Sequence, residues 1–185
     1  LLVDNSNDQL LSCSYDKTIR LWNLNTGQII NVFNGHTGYV LALCKVAKNI
    51  LVSAGRDVTF KFWNIESGEC IHTCKDVHSS WIWLLYYSAS NQLLISSGND
   101  NTIKIWDLQI REDKKIDKCT LKFTINNPFD CPCYTMAFLD GENDGSSVLV
   151  GDAGGNMLLI DLKTGMCVKK IEKVHSSRIW KVVFG

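Results

Sequence analysis

Two sets of residues in this chain have the types that acyl-transfer chemistry uses. His36, Ser53 and Asp57 form one set, and His78, Ser96 and Asp100 form the other. A serine hydroxyl activated by a histidine that a carboxylate orients is a nucleophile, so a hydrolase is one reading of each set. The spacing argues against it. The same three residue types return at nearly the same separations, and each set is closed by a tryptophan, Trp63 or Trp106. An active site is needed once, whereas a structural device recurs with the unit it holds together. No Gly-x-Ser-x-Gly elbow surrounds Ser53 or Ser96, and no glycine-rich loop stands beside them to bind an oxyanion. A buried indole N–H can only donate, and a serine hydroxyl is a suitable acceptor. The reading carried forward is therefore a buried hydrogen-bond network, with no catalytic residue.

The recurrence extends well beyond these polar residues. Asp16-Lys17-Thr18-Ile19-Arg20-Leu21-Trp22-Asn23 returns as Asp57 to Asn64 and again as Asp100 to Asp107, the tryptophans lying 41 and 43 positions apart. A fixed period of this length marks an array of one small unit. Within each unit, runs of five to seven Leu, Ile, Val and Thr residues alternate with turn residues, and no helical period exceeds one turn. That pattern is all-β. In the clearest copy Leu93 to Ser97 is a strand, Gly98 to Asn101 a turn, and Thr102 to Trp106 the returning strand. A strand over Trp81 to Tyr86 precedes them, and in the second copy Cys70 to Cys74 supplies the fourth.

The Asp-x-Thr-hydrophobic-x-hydrophobic-Trp-Asn/Asp ending resembles the WD-repeat β-propellers. So does Gly35-His36, followed by Val40 and Ser53. The resemblance implies an all-β propeller of four-stranded blades, with about four blades of a larger, seven-bladed ring present. The repeat pieces run over 1–27, 28–68, 69–110, 119–165 and 166–185. It also implies two complete buried tetrads, His36/Ser53/Asp57/Trp63 and His78/Ser96/Asp100/Trp106. A first copy holds Ser12, Asp16 and Trp22, its His expected upstream of Leu1. In the fourth repeat Ile160 takes the Trp place, Val150 the Ser place and Gly154 the Asp place, with no His near Cys131 to Cys133. That blade is expected to rest on Val148, Val150, Leu158 and Ile160 instead. The last residues, around Arg178 to Gly185, are expected to form the first strand of a further blade.

In this family, partner-contact positions follow the His by three and five residues or directly precede the turn Asp. Carried over, they are Tyr39 and Leu41, Trp81 and Trp83, Arg178 and Trp180, then Tyr15, Arg56 and Asn99. Tyr, Trp and Arg dominate interface hot spots. Trp83 and Trp180 have a second reading, as filling for the central channel. The expected function is a non-catalytic scaffold that binds a protein or peptide motif on this face, with acidic or phosphorylated residues meeting Arg56 and Arg178. The Ser-Gly-Glu-Cys-Ile-His and Gly-His-Thr-Gly-Tyr-Val wording is also similar to the substrate-recognition propellers of F-box ubiquitin ligases, which implies degron capture. An RNA-binding propeller that stacks bases on Trp81 and Trp83 is the remaining alternative.

Composition bears on these choices. The chain has 185 residues, 45% of them hydrophobic, and 19 basic against 19 acidic side chains. A balanced charge gives no footprint for nucleic acid. The longest apolar run, Trp81 to Tyr87, is too short to span a bilayer. No signal-peptide pattern opens the chain and Leu1 is not an initiator Met, so the native start is expected to lie elsewhere. Eight cysteines without zinc spacing imply free thiols, no metal, no cofactor, and a cytoplasmic or nuclear setting. Cys70 and Cys167 align with Ile29 and are expected to be buried as small hydrophobes. Arg111 to Lys118 and Asp140 to Ser147 are expected to be solvated loops on the opposite face.

Overall fold

A computed structural model describes residues 2–4, 8–111, 116–139 and 146–183. These fold into sixteen strands in four antiparallel sheets, each ordered as the chain runs. The first sheet contains β1 (Leu2–Asp4), β2 (Gln9–Cys13), β3 (Ile19–Asn23) and β4 (Ile29–Phe33). The second contains β5 (Val40–Ala47), β6 (Ile50–Gly55), β7 (Phe60–Asn64) and β8 (Cys70–Cys74). The third contains β9 (Ile82–Ser88), β10 (Leu93–Gly98), β11 (Thr102–Ile110) and β12 (Ile116–Asn126). The fourth contains β13 (Cys133–Phe138), β14 (Ser147–Asp152), β15 (Met157–Asp161) and β16 (Cys167–Ile171). Four meandering strands are the makeup of a propeller blade. Each sheet includes the strand beyond its Trp-Asn/Asp turn, so the sheets are offset by one strand from repeat pieces cut at those turns.

Each blade is amphipathic on both faces, and neighbouring blades bury those faces against each other. Leu11, Ile19, Leu21 and Phe33 of blade one meet Val40, Leu51 and Trp63 of blade two. Phe60, Phe62 and Val52 of blade two meet Ile82, Leu94 and Trp106 of blade three. Ile95, Ile103 and Ile105 of blade three meet Val148, Val150, Leu158 and Ile160 of blade four. Strand β5 approaches β9, and β9 approaches β13, so the first strands of these blades converge and the fourth strands form the outer rim. Burying a Leu, Ile or Phe at such a seam contributes about 1.5–3 kcal/mol.

The rim explains one departure from the sequence reading. Ile29, Cys70 and Cys167 open the outer strands opposite Trp22, Trp63 and Ile160. Ile29 and Cys70 are exposed and Cys167 is half-buried, so this place is not an apolar pocket. The place is open because the last strand of a blade pairs with a neighbour on one edge only.

Two segments differ in secondary structure. Ile116 to Lys118 is not loop but the start of β12, where Ile116 pairs with Ile110 and Lys118 with Gln109. Ile110 and Ile116 both pack on the seam between blades two and three, which extends the hairpin outward. The rest of that insertion, 112–115, lies outside the described residues, as do residues 140–145 of the other. Residues 172–183 contain no strand. They bend at 174–177 and then run against blade four, where Ile179 N–H donates to the Asp152 carbonyl at 3.0 Å and Val182 N–H to the Thr135 hydroxyl at 2.8 Å. No described second strand pairs with them.

Candidate functional site

The turn between the second and third strands of each blade positions the site. In blade two it is Gly55-Arg56-Asp57-Val58, and the residue after the Asp place adopts a left-handed conformation in every blade. Its φ is 72° at Lys17, 53° at Val58, 61° at Asn101 and 83° at Gly155. The turn is held from above by the loop that enters the blade. His36 Nδ1 lies 2.7 Å from Asp57 Oδ2, His36 Nε2 lies 2.6 Å from Ser53 Oγ, and Trp63 Nε1 lies 2.7 Å from the same hydroxyl.

These distances define a proton order. The carboxylate only accepts, so Nδ1 carries the hydrogen. A neutral ring then accepts at Nε2 from the Ser53 hydroxyl, which in turn accepts from the Trp63 indole. Blade three repeats the arrangement. His78 Nδ1 lies 3.0 Å from Asp100 Oδ2, His78 Nε2 lies 2.7 Å from Ser96 Oγ, and the Trp106 indole donates to Ser96 at 3.0 Å.

Burial sets the electrostatics. It works to raise the Asp57 and Asp100 carboxyls. Hydrogen bonds outweigh it: from His36, Thr37 N–H and Thr59 at Asp57, and from Thr102, Ser79 N–H and His78 at Asp100. Both carboxyls are held down at about 2. Burial also pushes the His78 imidazole below its ordinary value, against the pull of Asp100. Ser53 and Ser96 are 0% exposed. A substrate has no path to either hydroxyl in this conformation, and each hydroxyl is already engaged on both sides.

Blade one carries a reduced version. The Trp22 indole donates to Ser12 at 2.8 Å, while Asp16 lies exposed and pairs with Arg20 at 3.1 Å. Blade four carries a different network, which corrects the expectation that it rests on apolar packing alone. Val148, Val150, Leu158 and Ile160 are fully buried, and the register places Val150 and Ile160 at the Ser and Trp positions. A polar cluster also forms two residues before Gly154, at the fully buried Asp152. Its Oδ1 accepts from Gly154 N–H at 2.9 Å and Asn156 N–H at 2.8 Å. Its Oδ2 accepts from the side-chain amides of Asn156 at 3.0 Å and Asn127 at 3.2 Å.

Asp152 occupies the place of Gly98 in blade three. A Cβ on Gly98 would stand 2.5 Å from both His78 Nδ1 and Asp100 Oδ1. Where the His is missing, a carboxylate at the glycine place fills the space it would occupy. Cys131 and Cys133 belong to this cluster, each sulfur 3.6 Å from Asn127 Nδ2.

The residues at the family's contact positions fall into a continuous belt beside these networks. Tyr15 and Tyr39 stack at 4.4 Å with rings 2° from parallel. The Arg56 guanidinium lies 5.1 Å from the Tyr39 ring centre and 4.8 Å from that of Trp81. Trp81 meets Trp83 at 5.8 Å, and the Trp83 indole reaches Asn99 Oδ1 at 3.3 Å. Trp83 then meets Tyr134 at 5.2 Å, and Tyr134 meets Trp180 at 6.3 Å. Arg178 lies over both of these rings, at 4.1 Å from Tyr134 and 4.8 Å from Trp180. Trp180 is 73% exposed and Trp83 half-buried, so neither is sealed as core. Leu41, on β5, is half-buried and makes no ring contact.

Tyr134 is the belt residue that sequence reasoning missed. The register puts it in the same place as Leu41 and Trp83, because Val40, Ile82 and Cys133 pair with Gly55, Gly98 and Asp152 respectively. Its blade has Phe129 where blades two and three have His36 and His78, so no histidine marks the count.

A cleft of about 410 Å³ opens at one end of the belt, lined by Lys17, Thr37, Gly38, Tyr39, Arg56 and Asp57. Gly38 permits this approach, since a Cβ there would stand 3.0 Å from Arg56 Cβ and 2.8 Å from Asp57 N. Neither Lys17, Arg56 nor Arg178 has an ion pair among the described residues, whereas the Asp57 carboxylate is occupied by His36. Among the described residues no group of three or more His, Cys, Asp or Glu side chains could hold a metal ion. No helix of the described residues is long and apolar enough to cross a membrane.

Comparison with known proteins agrees with this architecture. The family model described as WD domain, G-beta repeat matches residues 2–23 and 68–107, stretches that end on Trp22-Asn23 and Trp106-Asp107. No curated protein matches the chain. Repeats of this kind generally mediate protein–protein interaction, and domains built from them are typically non-enzymatic. Four four-stranded sheets, their Trp-Asn/Asp turns and the two matched segments support a WD-repeat family and are consistent with the blades of a β-propeller.

Proposed function

We propose that this chain is a peptide-binding scaffold whose contact surface is the belt from Tyr15 to Trp180, and that its partner is a protein segment bearing acidic or phosphorylated residues. One observation carries the reading. Arg56 and Arg178 each lie against two aromatic rings, and neither guanidinium has an ion pair or side-chain hydrogen bond among the described residues. A guanidinium resting on aromatic rings keeps its donor edge free to meet an oxyanion in a bidentate pair. Lys17 adds a second cation to the cleft beside Arg56.

The aromatic rings supply the rest. Trp81, Trp83 and Tyr134 offer rigid apolar area between the two cations, the kind of surface on which hot spots form. The turn that places Arg56 is fixed through Asp57 by His36, so the buried network serves the surface by positioning it. Ser53 and His36 act here as supports, not as reagents.

The reading is tested by selection from a displayed peptide library, half of it with a fixed phosphoserine, against the purified chain. It predicts enrichment of acidic or phosphorylated sequences, weakened by salt and lost in Arg56→Ala. Selection of neutral peptides indifferent to Arg56→Ala contradicts it. So does a preference for single-stranded RNA whose affinity falls steeply with salt.

A further inference from the structure

The seam between blades two and three holds a pair of thiols that the peptide-binding face does not use. Cys74 closes β8 opposite Phe60, and Cys119 sits on β12 opposite Leu108. Phe60 and Leu108 belong to the apolar cluster that joins the two blades, and both cysteines pack against that cluster at its outer edge. Cross-strand partners share a face, so both thiols lie on the seam side of their strands. The strands β8 and β12 come within 8 Å of one another, Cα to Cα. All eight cysteines are free thiols.

We infer that Cys74 and Cys119 form a redox-modification site, a dithiol that a peroxide converts to a disulfide linking the outer strands of blades two and three. The surroundings assign different parts to the two sulfurs. Contact with the Cys119 thiol, and with His72 two residues earlier on the same face of β8, stabilises the Cys74 thiolate. Together they hold the Cys74 thiol well below its ordinary range, while Cys119 is pushed up by its contact with Cys74 and by burial. Cys74 and Cys119 are both half-buried, so part of the pair is open to a small oxidant, and the exposed His72 packs edge-on against Phe62 at 5.7 Å.

The steps balance with the peroxide as the oxidant. The Cys74 thiolate attacks one peroxide oxygen. The S–O bond forms, the O–O bond breaks, and the departing oxygen takes a proton to become water. Cys119 then attacks the sulfenyl sulfur. The S–S bond forms, the S–O bond breaks, and the released hydroxide takes the Cys119 proton as a second water. Two electrons pass from the thiol pair to the peroxide.

The test is mass spectrometry of the reduced, purified chain after brief treatment with hydrogen peroxide and alkylation under non-reducing conditions. The inference predicts a linked peptide pair containing Cys74 and Cys119, reversed by dithiothreitol. It also predicts that Cys119→Ser leaves Cys74 as a sulfenic acid trapped by dimedone, and that Cys74→Ser leaves Cys119 alkylated as in the untreated protein. Oxidation of Cys74 to the sulfinic acid in the wild type without a link to Cys119 overturns it. A dominant link through Cys70 or another cysteine, or equal inertness of both thiols, does so too.

Discussion

Ser53→Ala removes one oxygen and orphans two groups. The Trp63 indole N–H loses its acceptor at 2.7 Å, and the His36 Nε2 lone pair loses its donor at 2.6 Å. Ser53 is 0% exposed and Trp63 only 1%, so water does not replace the lost oxygen. Leaving a buried polar group unsatisfied costs about 1–3 kcal/mol, and two of them about 2–6 kcal/mol. For a chain of this size about 3 kcal/mol lowers Tm by roughly 6–12 °C. Ser12→Ala is the internal control. It removes the same acceptor from Trp22, but Ser12 and Trp22 are both partly exposed and no described His joins them, so the loss is at most about 1 kcal/mol. Thermal unfolding followed by circular dichroism reads both. Equal Tm for Ser53→Ala and wild type, or equal losses in the two variants, refutes the cooperative buried network.

Three further outcomes follow from the same geometry. Tm falls in two stages on acidification. The unfolded chain protonates His78 from pH 6.5 downward while the folded chain resists, and it protonates Asp57 and Asp100 from about 3.8 while the fold holds them near 2. A Tm that is constant from pH 7 to 3 contradicts both assignments. Asp152→Ala strips the acceptor from four N–H groups in blade four, so chemical denaturation is expected to show a loss of about 3 kcal/mol or more. A loss below 1 kcal/mol would mean that apolar packing alone holds this blade. Val58→Asn relieves a β-branched residue at φ 53° in the turn where the third blade has Asn101, and is expected to gain about 1 kcal/mol in the same assay. Destabilisation would show that the Val58 side chain contributes more packing than its backbone costs.

What the sequence made legible follows from register. Ser53 pairs with Lys61, and Leu51, two residues earlier, pairs with Trp63, so the Ser-to-Trp distance of ten is a hairpin property that sequence preserves. The same offset places Val150 opposite Leu158 and Val148 opposite Ile160, and there the count could be followed without any polar residue. Where a feature depends on space instead of period, the sequence was mute. Asp152 is invisible to the repeat offsets because it stands at a glycine place and acts from two residues before the expected carboxylate. Tyr134 was hidden because its blade lacks the His that marks the count and carries extra residues between its first two strands. The exposure of Cys70 could not be read from its match to Ile29, since both lie on a rim strand with one open edge.

On the proposed function, recognition resides on the belt and stability in the network beneath it. This division is tested most directly by titrating a fluorescent peptide recovered from the library selection against wild type, the double variant Arg56→Ala/Trp81→Ala, and Ser53→Ala, with Tm measured for each. The double variant is expected to keep the wild-type Tm within a few degrees and to bind roughly tenfold more weakly or worse. Ser53→Ala is expected to lose Tm but, assayed below its transition, to bind within a few-fold of wild type. Unchanged affinity in the double variant, with binding abolished in folded Ser53→Ala, would place recognition in the buried set and contradict the account.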